Sequence, residues 1–458
     1  MGSQLDQSTE TSHFSLSVYL QCPKCGSSKL TESTDHIDCD KCNQSYPQFK
    51  FGNISIPFLF ADVDAAIGAW CARINGFKKA IEQEIEHLNI QSKDKNNSRL
   101  TTERLKTSLK SKKQYKQQII EHLESFKAYS LDEYAYNSSE IDKNQGVESY
   151  INNIFRDWCW NNGENEELLR SISKVVDSNF QAGISLTLGA GASRFSYDFH
   201  EKYLAKHSFL LDINPVLLGN AAKIINGMVV ELNEFPVAPI SIDDFTKHQK
   251  CKIACDTPEE FSFLLADALN APLKEKSFDS ILTPWLVDII PIDLKDFITR
   301  VNRLLKVGGL WINSGSLAFF HKNQQCNYSQ EEVIDSLKKF GFDDVKVART
   351  KINYLNSPHS AHGRIEEVFS FSAKKKFDSA VPNNFTYFPE WVNDVNLSIP
   401  NHAELMAESS KHLLQAQVLS AINGQRSIID IAQLLAKQYD MSEDSAISAV
   451  RQILLDNL

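Results

Sequence analysis

The sequence predicts an α/β protein with a doubly wound, mostly parallel sheet at its centre and smaller domains on either side. Between residues 181 and 376, short apolar runs typical of strands alternate with amphipathic stretches of helical spacing. A glycine-containing turn follows the first of these runs, and two later runs end on an acidic residue. This order places polar groups at the carboxyl ends of parallel strands, where ligands bind in such sheets.

Composition and charge limit the classes of function. The chain has 458 residues, 42% of them hydrophobic and 23% charged, which is typical of a soluble globular protein with several domains. The formal net charge of -10 disfavours nucleic acid as the main partner, and we interpret the basic segment 93–116 as a solvated helix face. The polar N-terminus and the lack of a long apolar segment predict a cytoplasmic protein with no membrane partner.

Four segments follow one another along the chain. The first, residues 17–60, carries four cysteines, and the second, residues 61–180, is predicted to be helical. Residues 181–376 form the sheet core, and residues 395–458 form a small helical module after a linker that contains prolines. We expect each segment to be a domain of its own.

The first segment has the cysteine spacing of a zinc site. Cys22 and Cys25 form one C-x2-C pair, and Cys39 and Cys42 form a second pair after thirteen intervening residues. Two such pairs supply four thiolates to one tetrahedral ion and leave no open position, so the sequence predicts a structural Zn2+ and not a catalytic one. The five other cysteines are scattered, which predicts no disulfide framework and a reducing compartment.

The residues around these cysteines extend the pattern to C-P-x-C-G, C-x-x-C-x-x-x-Y-P and G-x-I-P-x-L over residues 20–60. This pattern resembles the Trm112-like zinc ribbons, small modules that act as methyltransferase partners or are fused to methyltransferases. The alternative is a folding module that only caps the helical domain.

The second segment has the periodicity of a helical hairpin. Apolar residues recur at intervals of three and four over 63–88 and again over 105–126, with a polar break at 92–98. A loop at 129–146 then precedes a third predicted helix, which starts at Val147.

Glycines and acidic residues of the core segment form a candidate cofactor pocket. Gly189 and Gly191 let the backbone turn sharply and approach a ligand closely at a strand-to-helix junction. About twenty residues further on, Asp212 ends the next strand, where a carboxylate can accept hydrogen bonds from both ribose hydroxyls of an adenosine-containing ligand. Asp267 ends another strand and can meet the adenine amino group.

Two further motifs follow in order, F-D-S-I-L-T at 278–283 and a segment with two adjacent glycines at 304–313. Together with the glycine turn and the two acidic strand ends, they resemble class I S-adenosyl-L-methionine-dependent methyltransferases. The resemblance implies S-adenosyl-L-methionine as cofactor and a Rossmann-like core. The acidic residue that often opens the glycine motif is Thr187 here. An unrelated Rossmann-like binding protein is the alternative.

Several passages resemble the carnosine N-methyltransferase family more narrowly. They are N-I-F-R-D-W at 153–158, G-A-G-A-S-R at 189–194, D-S-I-L-T-P-W-L-V-D at 279–288 and G-G-L-W-I-N-S-G at 308–315. The last glycine of the family's second motif is Ser193 here. The resemblance covers about 147–373 and implies an N-methyltransferase with a helical extension ahead of its core.

The resemblance implies roles for residues at matching positions. Asp288 falls where the family places a carboxylate against the substrate imidazole. His321 lies one position after the place of the family's substrate-side histidine. His359, His362 and Arg364 lie where the family has a cluster of tyrosines. These four residues are the candidate substrate contacts. The implied cofactor-binding residues are Asn153, Arg156, Gly189, Gly191, Arg194, Asp212, Asp267 and Thr283.

The chemistry of imidazole methylation suits a carboxylate at Asp288. Methyl transfer is an in-line displacement, so an enzyme mainly supplies alignment and a complementary electrostatic environment. A neutral histidine ring already offers a lone pair, and methylation creates an imidazolium. A carboxylate bonded to the other ring nitrogen fixes the tautomer and stabilises the developing charge, so we expect Asp288 to act without being a formal base. The alternative is an acidic cap after a strand.

The last segment has three short helical stretches, broken at Asn423-Gly424 and after Tyr439. Over residues 395–458 it resembles the PqqD-like domains, winged-helix folds that bind the leader peptides of ribosomally made natural products. That resemblance implies a histidine-bearing precursor peptide as substrate. The alternatives are a plain three-helix cap and a DNA-reading helix, and the lack of a basic face on 428–437 disfavours the latter.

Three hypotheses about function are left open by the sequence. The first is a methyltransferase for an imidazole nitrogen in a small molecule, small peptide or precursor peptide. The second is a methyltransferase for another acceptor, such as an RNA base or a carboxylate, which docks on the ribbon and the basic segment. The third is a non-catalytic peptide-binding scaffold, which Thr187 and Ser193 would fit.

Overall fold

A computed structural model describes residues 15–129, 146–321, 323–380, 396–398, 401 and 403–455. The chain divides into two compact units, Met1–Asn383 and Asn384–Leu458. Most of the loop that the sequence predicts at 129–146 lies outside the described residues.

The first unit is built on one eleven-stranded sheet. In spatial order its strands are β1 (Leu30–Glu32), β2 (His36–Cys39), β3 (Ser45–Phe51), β4 (Ile54–Leu59), β9 (Phe261–Ala266), β6 (Ala205–Asp212), β5 (Gly183–Leu188), β10 (Phe278–Pro284), β11 (Leu305–Gly315), β13 (Arg364–Lys375) and β12 (Phe342–Tyr354). Two further strands, β7 (Val230–Glu234) and β8 (Lys247–Cys251), form a separate antiparallel pair.

The central strands have a doubly wound order. Strands β9, β6, β5, β10 and β11 are neighbours and run parallel, and β13 is antiparallel between β11 and β12. The chain leaves β5 toward β6 and β9 on one side and returns to β10 on the other. The strand order therefore reverses beside β5, which is where such sheets bind ligands. This order confirms the predicted doubly wound, Rossmann-like core.

The parallel strands are buried on both faces, which explains why they read as continuous apolar runs. On β6, Phe209, Leu210 and Leu211 are all fully buried, although successive side chains point to opposite faces. The core continues on β11, where the ring of Trp311 lies 5.1 Å from that of Phe371. The sheet is therefore a rigid support for the loops at its carboxyl edge.

The four-cysteine segment is continuous with the central sheet. Strands β1 to β4 pair antiparallel in succession, and β4 then pairs in parallel with β9. The sequence did not indicate this junction, because β4 and β9 are far apart in the chain and neither strand specifies its partner. The ribbon thus extends the sheet beside β9.

The helices of the first unit are α1 (Val63–Gln91), α2 (Arg99–His122), α3 (Asn152–Trp158), α4 (Glu164–Ile172), α5 (Arg194–Lys202), α6 (Pro215–Ile225), α7 (Leu294–Leu304) and α8 (Gln330–Lys339). Asp62 and Ser98 cap α1 and α2, because each side chain accepts a hydrogen bond from a backbone N–H of the first turn. The predicted third helix starts at Asn152 and not at Val147. Tyr150 has a left-handed φ of 61°, which a right-handed helix cannot include, so no helix runs through this residue.

The second unit has a hydrophobic core of its own. Its helices are α9 (Ala403–Ala421), α10 (Ile428–Tyr439) and α11 (Glu443–Leu455), broken where the sequence predicts. Val418, Ile431 and Val450 pack together, and Ser427 and Asp430 form a capping box at the start of α10. The described residues of this unit include no strand, so its likeness to a winged helix stays a prediction.

A disulfide joins Cys159 to Cys251 with a Cα–Cα distance of 5.3 Å, and it ties the end of α3 to the end of β8. The sequence did not predict this bond, because the two cysteines are 92 positions apart and belong to no recognised motif. Disulfides are uncommon in reducing compartments, so the cytoplasmic location stays a prediction. Among the described helices, none is long and apolar enough to cross a membrane.

Candidate cofactor and acceptor site

A cavity of about 380 Å³ lies at the carboxyl ends of the central strands. Its volume is in the range of small-molecule sites, roughly 300–1,000 Å³. The sequence-predicted residues that line it are Asn153, Arg156, Gly189, Gly191, Asp212, Asp267, Asp288 and Arg364. Those that lie elsewhere are Arg194, Thr283, His321, His359 and His362.

The cavity has two groups of lining residues that come from different parts of the sheet edge. The glycine-turn group consists of Gly189, Gly191, Asp212, Asn214 and Asp267. The Asp288 group consists of Trp285, Asp288, Tyr354, Arg364 and Glu366. The first group follows β5, β6 and β9, and the second comes from the turn after β10 and from the ends of β12 and β13.

The turn after β5 and the carboxylate after β6 hold each other in place. One oxygen of Asp212 accepts the Gly191 N–H at 2.7 Å, and the other accepts the Asn214 N–H at 2.7 Å. Burial raises the pKa of Asp212, although these backbone donors lower it. Gly191 has a φ of 53°, and a side chain added there would meet no atom within 4 Å. The turn therefore leaves open space for a ligand against its backbone.

Two further side chains of the glycine-turn group, those of Asn214 and Asp267, cap the first turn of a helix. The side-chain oxygen of Asn214 accepts the N–H groups of Val216 and Leu217 at the start of α6. Its Nδ2 is buried and has no hydrogen-bond partner among the described residues. Asp267 accepts the Leu269 N–H at 2.8 Å. Local capping thus fixes the orientation of both side chains beside the cavity.

Helix α3 contacts the glycine turn directly. Trp158 donates its indole N–H to the Ala192 carbonyl at 2.8 Å. Arg156 pairs with Asp157 at 2.7 Å and with Glu164 at 3.7 Å. Burial alone would lower the pKa of Arg156, but the two carboxylates outweigh it and raise that pKa. The cavity wall formed by α3 therefore carries a permanent, paired guanidinium.

Two predicted cofactor contacts have other partners. Arg194 pairs with Asp198 at 2.7 Å within α5. Thr283 is fully buried in the sheet, where its hydroxyl donates to the Asn313 side-chain oxygen and accepts the Trp311 indole N–H, both at 2.9 Å. The structure places both residues away from the cavity wall, so a contribution to ligand binding would be indirect.

Asp288 presents one carboxylate oxygen without a partner. Its Oδ2 accepts the Ser316 hydroxyl at 2.7 Å and the Ala318 N–H at 3.0 Å. Its Oδ1 is buried and has no hydrogen-bond partner in the part of the chain that the structure describes. Burial raises the pKa of Asp288, the two donors lower it, and nearby Glu366 raises it further. Asp288 thus has one oxygen held by two donors and one buried oxygen whose hydrogen-bonding capacity the described residues leave unused.

Three residues of the Asp288 group were not predicted as site residues from the sequence, namely Trp285, Tyr354 and Glu366. Trp285 donates its indole N–H to Glu366 at 3.1 Å, and its ring centroid lies 5.2 Å from that of Tyr354. Trp285 also has a φ of 47°, a backbone conformation that clusters at functional sites. Strand alternation could have identified Glu366, because Arg364 and Glu366 share one face of β13.

The predicted histidine contacts do not line the cavity. His359 pairs through Nδ1 with Asp244 at 3.1 Å, and His362 is exposed. His321 Nε2 is buried without a hydrogen-bond partner among the described residues, and the Asn327 side chain holds the His321 backbone. Their roles as substrate contacts stay predictions.

The four ribbon cysteines converge on one point. Their sulfurs all lie within 4.8 Å of one another, with 3.7 Å between Cys22 and Cys42 and 3.6 Å between Cys25 and Cys39. A tetrahedral Zn2+ with Zn–S bonds of about 2.3 Å separates its sulfurs by roughly 3.8 Å, so the cluster fits that ion. The Tyr46 hydroxyl lies 3.0 Å from the Cys22 sulfur, where it can donate to a thiolate.

Comparison with known families agrees with the sequence motifs. Residues 230–376 match the family model described as carnosine N-methyltransferase. Over 87 residues the chain is 31% identical to the carnosine N-methyltransferase of Dictyostelium discoideum, an alignment that covers 18% of either protein. The resemblance is therefore confirmed for this part of the chain. It includes Asp267 and Asp288, whereas the glycine turn and Asp212 precede it.

Solved structures of methyltransferases overlap about half of the chain. One from Thermotoga maritima, described as a possible histamine N-methyltransferase, has 18% identity and a TM-score of 0.32 and covers 50% of this chain and 98% of that one. Phosphoethanolamine N-methyltransferase 2 of Haemonchus contortus, in complex with S-adenosyl-L-methionine, has 12% identity and a TM-score of 0.32 and covers 52% of this chain and 61% of that one. Both alignments cover only about half of this chain.

Proposed function

We propose that the protein is an S-adenosyl-L-methionine-dependent N-methyltransferase that methylates an imidazole nitrogen in a histidine-containing small molecule or peptide. The family match over residues 230–376 supports N-methyl transfer. The observation that carries the acceptor assignment is the carboxylate of Asp288, which lines the cavity with one oxygen held by the protein and the other without a partner.

The glycine-turn group fits the cofactor. Gly191 leaves open space beside the turn, and Asp212 is fixed by backbone donors, so its remaining lone pairs can accept the ribose hydroxyls. Asp267 is suited to accept the adenine amino group. The cofactor, when bound, supplies an electrophilic methyl group on a positively charged sulfur. The role of the protein is to orient the adenosine and to exclude water from the path of the methyl group.

Asp288 is suited to orient an imidazole ring. A neutral ring has one N–H and one lone pair, and donating the N–H to Oδ1 turns the lone pair away from the carboxylate. As the far nitrogen gains the methyl group, the ring becomes a cation, which the carboxylate stabilises. The ring N–H stays bonded to Asp288 during transfer, so no proton has to move to the protein.

The substitution Asp288→Asn tests this role. The amide keeps the size of the side chain but removes its charge, so turnover of β-alanyl-histidine and of histidine-containing peptides is expected to fall about a hundredfold or more. Affinity for S-adenosyl-L-methionine, measured by calorimetry, should stay within about twofold, since Asp288 lies outside the glycine-turn group.

Asp335→Asn is the matched control, because Asp335 is an exposed aspartate on α8. It should turn over acceptors at the wild-type rate. Wild-type turnover in Asp288→Asn would contradict the role of this carboxylate. Methyl transfer to bulk RNA but not to imidazole compounds would contradict the acceptor class.

A structural Zn2+ at Cys22, Cys25, Cys39 and Cys42 is the second part of the proposal. A closed set of four sulfurs leaves no position for a substrate, so the ion would stabilise the ribbon without taking part in the reaction. Because β4 continues into the central sheet, such an ion would also support the strand edge beside β9.

A further inference from the structure

Glu366 is a second carboxylate on the cavity wall that holds Asp288. Its Oε2 accepts the indole N–H of Trp285 at 3.1 Å, and its Oε1 pairs with Arg364 at 2.5 Å. The Glu366 side chain is 17% exposed, so it is largely shielded from water but open to the cavity. One ligand in this cavity can therefore meet two carboxylates.

The cation that balances Glu366 lies largely in solvent. The Arg364 side chain is 62% exposed, and its guanidinium stacks 4.4 Å from the ring centroid of Tyr354, its cross-strand neighbour. Arg156, another guanidinium on the wall, is already paired with two buried carboxylates. An ion pair with one largely exposed partner contributes little to stability, so a ligand can replace Arg364 at small cost.

We infer that Glu366 binds a cationic group of the acceptor, such as a primary ammonium, and thereby selects imidazole compounds that carry one. This inference rests on the proposed function. The cation has to be separate from the ring, because a protonated imidazole has no lone pair to accept a methyl group. A neutral ring alone would leave the second carboxylate without a counterpart in the ligand.

The electrostatics around Asp288 agree with this arrangement. Glu366 raises the pKa of Asp288, so the two carboxylates repel each other in the free cavity. An ammonium that pairs with Glu366 in place of Arg364 would keep the charge of Glu366 balanced and so favour the ionised form of Asp288 for the ring N–H. Trp285 can keep its hydrogen bond, because an ionised carboxylate accepts several donors.

Two acceptors that differ in this single charge test the inference. β-Alanyl-histidine carries an ammonium at neutral pH, whereas N-acetyl-β-alanyl-histidine does not. We expect the wild-type protein to methylate both, with a KM about tenfold higher for the acetylated compound. E366Q keeps an acceptor for the Trp285 N–H but removes the charge. It should raise the KM of the amine about tenfold and leave the KM of the acetylated compound and both kcat values within about twofold.

Glu367→Gln is the matched control, because Glu367 is the next residue of β13 and is exposed on the opposite face of the strand. It should behave as the wild type. Equal KM values for the two acceptors in the wild type, or an equal loss of kcat for both in E366Q, would overturn the inference and leave the proposed function intact. Methylation of neither acceptor by the wild type would overturn the proposed function together with this inference.

Discussion

The carboxyl groups of Asp212 and Asp288 are buried, and burial disfavours their ionised forms. Burial raises the pKa of each, yet each is also held by hydrogen-bond donors that orient it toward the cavity. A fold selected for stability alone would place apolar side chains at these positions. We therefore interpret both carboxylates as residues kept for a ligand, one for an adenosine and one for an acceptor ring.

The stability of the ligand-free protein should depend on pH through Asp288. Its folded pKa lies above the unfolded value of about 3.9, so the folded form binds this proton more tightly. The resulting destabilisation is absent at pH values below the unfolded pKa and is complete once the pH has risen past the folded pKa. Asp288→Asn removes it, so we expect a higher Tm than wild type at pH 7.5 and a gain that shrinks toward pH 4. Calorimetric scans across this range measure it, and a lower Tm of the variant at pH 7.5 would contradict the account.

Ser193 occupies a backbone position that favours glycine. Its φ is 69°, a conformation that costs an L-residue roughly 1–2 kcal/mol and glycine almost nothing. Glycine also increases the conformational entropy of the unfolded chain, which offsets part of this gain. Ser193→Gly should therefore raise the free energy of unfolding by about 0.5–1 kcal/mol. Urea titration measures the change. Ser193→Ala keeps the strain and should show no gain, and a loss of stability in Ser193→Gly would contradict the strain.

At the scale of elements, periodicity predicted which segments are helices and strands but not how they meet. Strands β5, β6, β9, β10 and β11 lie on short apolar runs of the core segment, and α1 and α2 lie on the two predicted stretches of helical periodicity. The pairing of β4 with β9 and the late start of α3 were not predictable, because they depend on contacts between distant residues and on one left-handed residue.

The same limit applies to the site. Asp212 and Asp288 were predictable because each follows a strand or a motif at a fixed offset. Glu366 could have been found only from its place on the same face of β13 as Arg364. Trp285 and Tyr354 were not predictable, because they meet only through the turn after β10 and the register of β12 against β13. Whether Trp285 and Tyr354 line a cavity depends on contacts between distant segments of the chain, and the spacing of residues along one strand does not specify such contacts.

The disulfide between Cys159 and Cys251 links the end of α3, a helix that lines the cavity, to the end of β8. It closes a loop of 92 positions, which chain-entropy estimates value at about 4–5 kcal/mol. We expect the double substitution Cys159→Ser and Cys251→Ser to lower the free energy of unfolding by about 2–4 kcal/mol. Cys255→Ser, at a free cysteine, is the control and should change little. An unchanged urea midpoint in the double variant would show that the bond contributes nothing.

At the scale of the whole molecule, the ribbon and the cofactor pocket share one sheet. Leu59 at the end of β4 pairs with Ala266 at the end of β9, and Asp267 follows at once on the cavity wall. Structural change in the ribbon therefore has a short path to the adenine side of the pocket.

Loss of the metal should weaken both stability and cofactor binding. We expect one zinc per chain by elemental analysis, and we expect Cys39→Ser to lose it, lower the Tm and weaken the affinity for S-adenosyl-L-methionine severalfold. Cys255→Ser, outside the cluster, should retain the metal and the affinity. Full affinity in a folded, zinc-free Cys39→Ser protein would contradict the coupling through β4.

In the function proposed above, the glycine turn and Asp212 bind the adenosyl part of S-adenosyl-L-methionine. Titration calorimetry of that compound into the wild type and into Asp212→Asn tests it most directly, with the Tm of both proteins as the check on folding. We expect one site in the wild type and an affinity at least about tenfold lower in Asp212→Asn, because the ribose hydroxyls lose a charged acceptor. No binding to the wild type, or equal affinities in the two proteins, would contradict it.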